Sequence, residues 1–153
     1  MVKTLIIIGL IMLLVSCTNS AMTRLTSEEQ KMADIFASKY DCTVRIEKDY
    51  QVIANNKDSG RLYIKLNFNQ SKINFCISDS TTLLNEAQKI SNDFQTVMDK
   101  KEKYKEIAIE FYSSDKSVER LEKPTCEQIF VFSINDNKLI EYQKLGQWPI
   151  KLK

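Results

Sequence analysis

Thr26-Ser-Glu-Glu-Gln-Lys-Met-Ala-Asp-Ile-Phe-Ala-Ser-Lys-Tyr40, followed after Asp41-Cys42-Thr43 by Val44-Arg-Ile-Glu-Lys-Asp-Tyr-Gln-Val52, is the stretch whose reading decides the fold. Its apolar period changes midway. Thr26 and Glu29 stand at the spacing of a capping box, in which each residue satisfies a backbone N–H beside the other. Met32, Ile35, Phe36 and Tyr40 then recur at helical intervals, which predicts a helix over 27–39. From Val44 the period is two. Val44, Ile46, Tyr50 and Val52 alternate with Arg45, Glu47, Asp49 and Gln51, and Lys48 alone breaks the pattern. This is a half-buried strand of the antiparallel kind.

Outward from that stretch, Asn55-Asn-Lys-Asp-Ser-Gly60 reads as a turn, and Leu62, Ile64, Leu66 and Phe68 form the alternating partner strand of a hairpin. Asn69-Gln70-Ser71 is a second turn, with a short third strand through Ile73, Phe75 and Ile77. Leu83, Leu84, Ala87, Ile90, Phe94, Val97 and Met98 then mark one face of a second helix, with Ser80 or Thr81 as its N-cap. Ile107, Ile109 and Phe111 open another strand. Ile129-Phe-Val-Phe-Ser-Ile134 is apolar on both faces and therefore central, and Asn135-Asp-Asn137 turns the chain into Lys138-Leu-Ile-Glu-Tyr142. The order is α-β-β-(β)-α-β-β-β. It predicts a single α+β domain over 26–153, an antiparallel sheet with two amphipathic helices on one face.

Composition removes whole classes of chemistry. The 153 residues include no histidine, which excludes Ser-His-Asp and Cys-His catalysis and any imidazole metal site. Of three glycines, Gly9 lies in the N-terminal apolar run, so only Gly60 and Gly146 remain. Phosphate-cradling loops need several glycines close together. Lys and Arg total 22 against 20 Asp and Glu, a net charge of +2 that lacks the basic field of a nucleic-acid binder. The expectation is therefore no metal, no cofactor and no nucleic acid.

The N-terminus speaks to compartment. Lys3 precedes an uninterrupted apolar run from Leu5 to Val15, too short to span a bilayer and of the proportions of a secretory signal. Leu14-Val15-Ser16-Cys17 ends that run and resembles the lipobox of bacterial lipoproteins. The resemblance implies cleavage after Ser16 and acylation of Cys17. Residues 1–16 are then a signal peptide and 17–25 a lipidated tether, with several acyl chains giving firm anchoring. Thr18, rather than Asp, follows the cysteine, which in a host with two membranes leans towards the outer one, facing the periplasm.

An exported chain sits where disulfides form. Among Cys42, Cys76 and Cys126, one bond is possible in three pairings that the sequence alone does not decide; Cys42 and Cys126, both placed at sheet ends, are one candidate pair, and Cys76 is a candidate buried filler. Glu47 and Asp49 share a strand face with Arg45 and Gln51, where carboxylates serve acid–base work or simply meet solvent; the solvated face is the better reading. Asp136 reads as part of a hairpin turn rather than a calcium loop. Lys100-Lys-Glu-Lys-Tyr-Lys-Glu106 reads as a solvated helix end, its glutamates diluting any attraction to anionic headgroups. Trp148 is a possible interaction surface, or else a tail side chain docked on its own sheet. Together these features predict a membrane-anchored, non-enzymatic binding module of the cell envelope, possible as an inhibitor or immunity protein, with an envelope protein or component as partner. The alternative is a small periplasmic hydrolase or ligand carrier using carboxylates or a Ser/Lys pair.

Overall fold

The protein is described by a computed structural model over residues 24–49, 60–69, 71, 78–114, 124–145 and 150–151. Helix α1 spans Ser27–Tyr40 and leads into strand β1 (Thr43–Asp49) and strand β2 (Arg61–Asn67). Helix α2 (Ser80–Val97) and a single 3-10 turn at Lys101–Lys103 precede β3 (Glu106–Ser114), β4 (Pro124–Ser133), β5 (Leu139–Lys144) and the short β6 (Ile150–Lys151). The strands form one sheet in the order β1-β2-β3-β4-β5-β6. The α+β architecture is as the sequence predicts.

The predicted capping box is present: Thr26 Oγ1 accepts from the Glu29 N–H, and Glu29 Oε2 accepts from the Thr26 N–H at 2.8 Å. The helix ends at Asp41, whose φ of 49° lets its N–H reach the Ala37 carbonyl. Such a left-handed residue reverses the chain into β1 within two residues. Helix α2 is capped by Asp79 rather than by Ser80 or Thr81, with Asp79 Oδ1 accepting from the Thr82 N–H at 2.9 Å. Acidic N-caps combine this hydrogen bond with a favourable helix dipole.

One part of the antiparallel expectation is corrected. β2 and β3 pair in parallel, with Ile64 opposite Ile109, while the other pairs are antiparallel. The reason is connectivity: α2 lies between these two strands, and a helical crossover returns the chain in its original direction. The apolar β4 is interior to the sheet as expected. The strand expected over Ile73–Ile77 lies outside the described residues.

Both helices pack on one sheet face. Phe36 and Tyr40 from α1 and Leu83, Ala87, Ile90 and Phe94 from α2 meet Leu62, Ile64, Leu66, Ile107, Ile109, Phe111, Phe130 and Phe132 in one core. Ile35, expected on the packed face of α1, is instead exposed, because Met32, Phe36 and Tyr40 define a stripe that leaves it to one side. The β4–β5 turn docks on a polar stripe of α2, where Asn137 Oδ1 accepts from Ser91 at 2.7 Å and from Gln95 at 3.2 Å. Among the described residues no helix is long and apolar enough to cross a membrane.

Candidate functional site

Strand alternation gives every helix-facing residue a neighbour on the other face, where no described helix packs. Register aligns Arg45, Lys65, Glu110, Ile129 and Gln143 in one row across this open face. The next row holds Glu47, Tyr63, Ala108, Val131 and Glu141, and a third brings Arg61 beside Glu106. Ala108 and Val131 are buried between the larger side chains and floor the surface. Tyr63, Tyr112 and Ile129 stand half-exposed among the charges.

The charges form a lattice. Arg61 bridges Glu106 at 2.7 Å and Glu141 at 3.4 Å, joining β2 to β3 and β5. Lys65 bridges Glu47 at 3.0 Å and Glu110 at 3.7 Å, joining β2 to its neighbours on either side. Arg45 completes the array at 3.0 Å from Glu47. Burial pulls Lys65 down, but the hydrogen bond to Glu47 and the charges of Glu110 and Glu47 hold its ammonium above the ordinary lysine range. Glu110 moves the other way for a carboxylate: burial raises its pKa, Lys65 offsets only part of that, and the charges of Glu127 and Glu47 raise it further. Among the described side chains, Arg45, Arg61 and Lys65 share this face with five carboxylates (Glu47, Glu106, Glu110, Glu127 and Glu141), an acidic excess on a chain whose total is +2.

Of the carboxylates singled out in the sequence, Glu47 is in this lattice, neutralised by Arg45 and Lys65, and Asp49 pairs with Arg61 in register. Glu110 was missed. Its signal was the polar register of a strand whose alternate residues are Ile107, Ile109 and Phe111. Asp136 sits in the β4–β5 turn as expected, its carboxylate accepting from the Lys138 N–H at 3.3 Å. Among the described residues no cluster of three or more His, Cys, Asp or Glu is arranged to hold a metal ion. Cys17 and Trp148 lie outside the described residues.

The cysteine pairing is corrected. Cys42 is a free thiol, half-buried, its pKa pushed up to about 12 by burial and by the neighbouring Asp41 charge. Cys126 is disulfide-bonded, with a partner other than Cys42. Both cysteines are at the same end of the sheet, but β1 and β4 are three strand spacings apart. That separation is about 14 Å, roughly twice the Cα–Cα reach of a disulfide. No family model, curated protein or solved structure matches the chain.

Proposed function

We propose that this protein is a lipid-anchored lipoprotein of the bacterial envelope and that its domain is a non-enzymatic binding module, of inhibitor or immunity type, presenting the open sheet face to another envelope protein. The observation that carries this reading is the face itself. Paired charges surround half-exposed tyrosines over a dry Ala108–Val131 floor, and Tyr and Arg are the residues that supply most of the energy at protein interfaces. Its acidic excess fits a partner with a basic patch, and complementary charge speeds encounter and selects the partner. The Leu14–Cys17 motif supports the anchor.

The test uses the processed chain in envelope extract, crosslinked and recovered alongside a variant carrying Arg45→Glu and Tyr112→Ala. A partner captured by the wild type and lost by the variant is the expected result. Capture unaffected by both changes would remove the open face from the reading. For the anchor, Cys17→Ser should abolish incorporation of labelled fatty acid, and undiminished labelling would refute the lipidation site.

One observation favours the alternative, a small hydrolase or ligand carrier. A buried carboxyl with a raised pKa beside a lysine, as at Glu110, suits a general acid. A hydrolase screen with wild type and Glu110→Gln separates the two: turnover lost on this substitution would favour the enzyme.

A further inference from the structure

The folded domain begins at one end of the sheet, and that end can be identified. Thr26 and Glu29 open α1, and Glu29 Oε1 accepts from the Asp99 N–H at 3.0 Å, just past the C-terminus of α2. The chain therefore enters the domain beside the α2–β3 connection, which carries Lys100, Lys101, Lys103 and Lys105, all exposed. The β4–β5 turn lies at the same end, since the Ile134 N–H donates to the Lys105 carbonyl at 2.9 Å, and it adds the exposed Lys138. Arg24, also exposed, precedes the helix. The acids at this end are fewer and partly spent within it: Asp99 lies 3.8 Å from Lys100 and Asp136 lies 3.3 Å from Lys138, leaving Glu102 and the exposed Glu28 in the first turn of α1. The opposite end of the sheet carries Cys42 and Cys126.

This end is also stiff. A Cβ on Gly60 would fall 2.2 Å from the Lys103 carbonyl oxygen, and the Gly60 carbonyl accepts from the Lys105 N–H at 2.8 Å. The lysines are thus presented on backbone fixed against β2 rather than on a free loop.

We propose that this lysine-bearing end rests on the anionic phospholipid headgroups of the membrane that holds the anchor, so that the strands run away from the bilayer and the open face stays accessible. The inference rests on the lipoprotein reading. From Cys17 to Thr26 there are nine backbone steps, so an anchor at Cys17 keeps this end of the domain within about 30 Å of the headgroups. Within that distance, four to eight juxtamembrane basic residues are enough to bind anionic lipid. The glutamate-diluted run that reads in sequence as a solvated helix end gains Lys138 and Arg24 from distant segments and a position next to the tether. Charge also orients the molecule: the acidic open face is repelled by the surface that attracts the lysines.

The test reconstitutes the processed full chain into phosphatidylcholine vesicles with and without phosphatidylglycerol and follows amide hydrogen exchange. Exchange in residues 99–105 and 134–138 should slow roughly fivefold on the phosphatidylglycerol vesicles, as expected from about one lysine's worth of attraction per contact. High salt should erase the slowing, as should the combined Lys100→Gln, Lys101→Gln, Lys103→Gln and Lys138→Gln variant with an unchanged melting temperature. Equal exchange on the two vesicle types, or slowing confined to the open-face strands, would overturn the proposal. The mass of the N-terminal peptide separates the failures. Acyl groups on Cys17 with equal exchange reject the docking alone, whereas an unmodified Cys17 rejects the lipoprotein reading beneath it.

Discussion

The two faces of the sheet each bind a lysine to a carboxylate, and they do so to opposite effect. On the covered face Lys48 meets Glu29, and both side chains are almost wholly removed from water. Burial alone would raise the Glu29 pKa, but hydrogen bonds from Lys48 and from the Thr26 and Asp99 backbone, with the Lys48 charge, hold it below the usual carboxylate range. On the open face Glu110 is more exposed, yet its pKa is raised. Burial raises Glu110 first of all, and the offset is weak, because Glu110 shares Lys65 with Glu47 and the charges of Glu127 and Glu47 repel it. Burial raises both carboxyls, and the difference between them is whether enough donors and positive charge are committed to outweigh it. Glu29 is a structural joint between α1, β1 and the end of α2. Glu110 is a carboxyl whose charge the open face compensates only in part.

The covered pair gives the largest expected effect. Lys48→Met leaves the Glu29 carboxylate buried without its cation, which should cost about 3–5 kcal/mol in chemical denaturation at neutral pH. Because the folded pKa of Glu29 is lowered, its ionised form contributes stability above the ordinary glutamate value near 4.5, and that contribution is lost as pH falls through the folded pKa. The gap between wild type and Lys48→Met should therefore narrow in acid. Adding Glu29→Leu to Lys48→Met should recover part of the loss by removing the orphaned charge, while leaving the Asp99 N–H without its acceptor. A variant as stable as wild type would mean that the pair is not buried as described.

A single step along β2 sharpens the same contrast. Ile64 is fully buried against the helices, and its neighbour Lys65 faces the open lattice. Ile64→Ala should cost about 2–5 kcal/mol through lost burial and the cavity it leaves. Lys65→Ala should change stability by no more than about 1 kcal/mol, since partly exposed ion pairs contribute little. Comparable losses at the two positions, measured by thermal melts, would mean that the open face is packed rather than presented.

Much of this division was legible in the sequence. The period-two runs at Val44–Ile46, Leu62–Phe68 and Ile107–Phe111 assigned the covered face, and the stripe from Leu83 to Met98 assigned α2 to it. Lys48 stood out as the break in its strand, and it is a break because it occupies an inward register position. What the sequence lacked was its partner, since Glu29 already had a complete local role in the capping box and a second, tertiary role leaves no trace in spacing. The same limit applies to the lattice. Arg61, Lys65 and Glu110 look like ordinary strand polars until the parallel β2–β3 pairing sets Lys65 opposite Glu110, and pairing across a helical crossover depends on contacts far apart in the chain. The cysteines failed for a related reason: both were placed at strand ends, but strand order, which separates them by three spacings, is a global property.

The smallest effect tests the open face with its sign reversed. The folded pKa of Glu110 is raised, so the folded state holds this proton more tightly than the unfolded chain does. Ionised Glu110 therefore costs stability at pH values above its folded pKa, and the cost fades as pH falls towards the ordinary value of 4.5, the reverse of Glu29. Glu110→Gln removes the charge, retains an acceptor near Lys65, and leaves Lys65 its closer partner Glu47 at 3.0 Å. At neutral pH the variant should be more stable than wild type by up to about 1 kcal/mol, the scale of a partly exposed charge interaction. That advantage should shrink in melts taken at progressively lower pH and vanish below about 4.5. A variant that is less stable at neutral pH, or whose advantage grows in acid, would show that Lys65 compensates Glu110 in full. The two faces would then treat their carboxylates alike, and the contrast drawn from Glu29 would not hold.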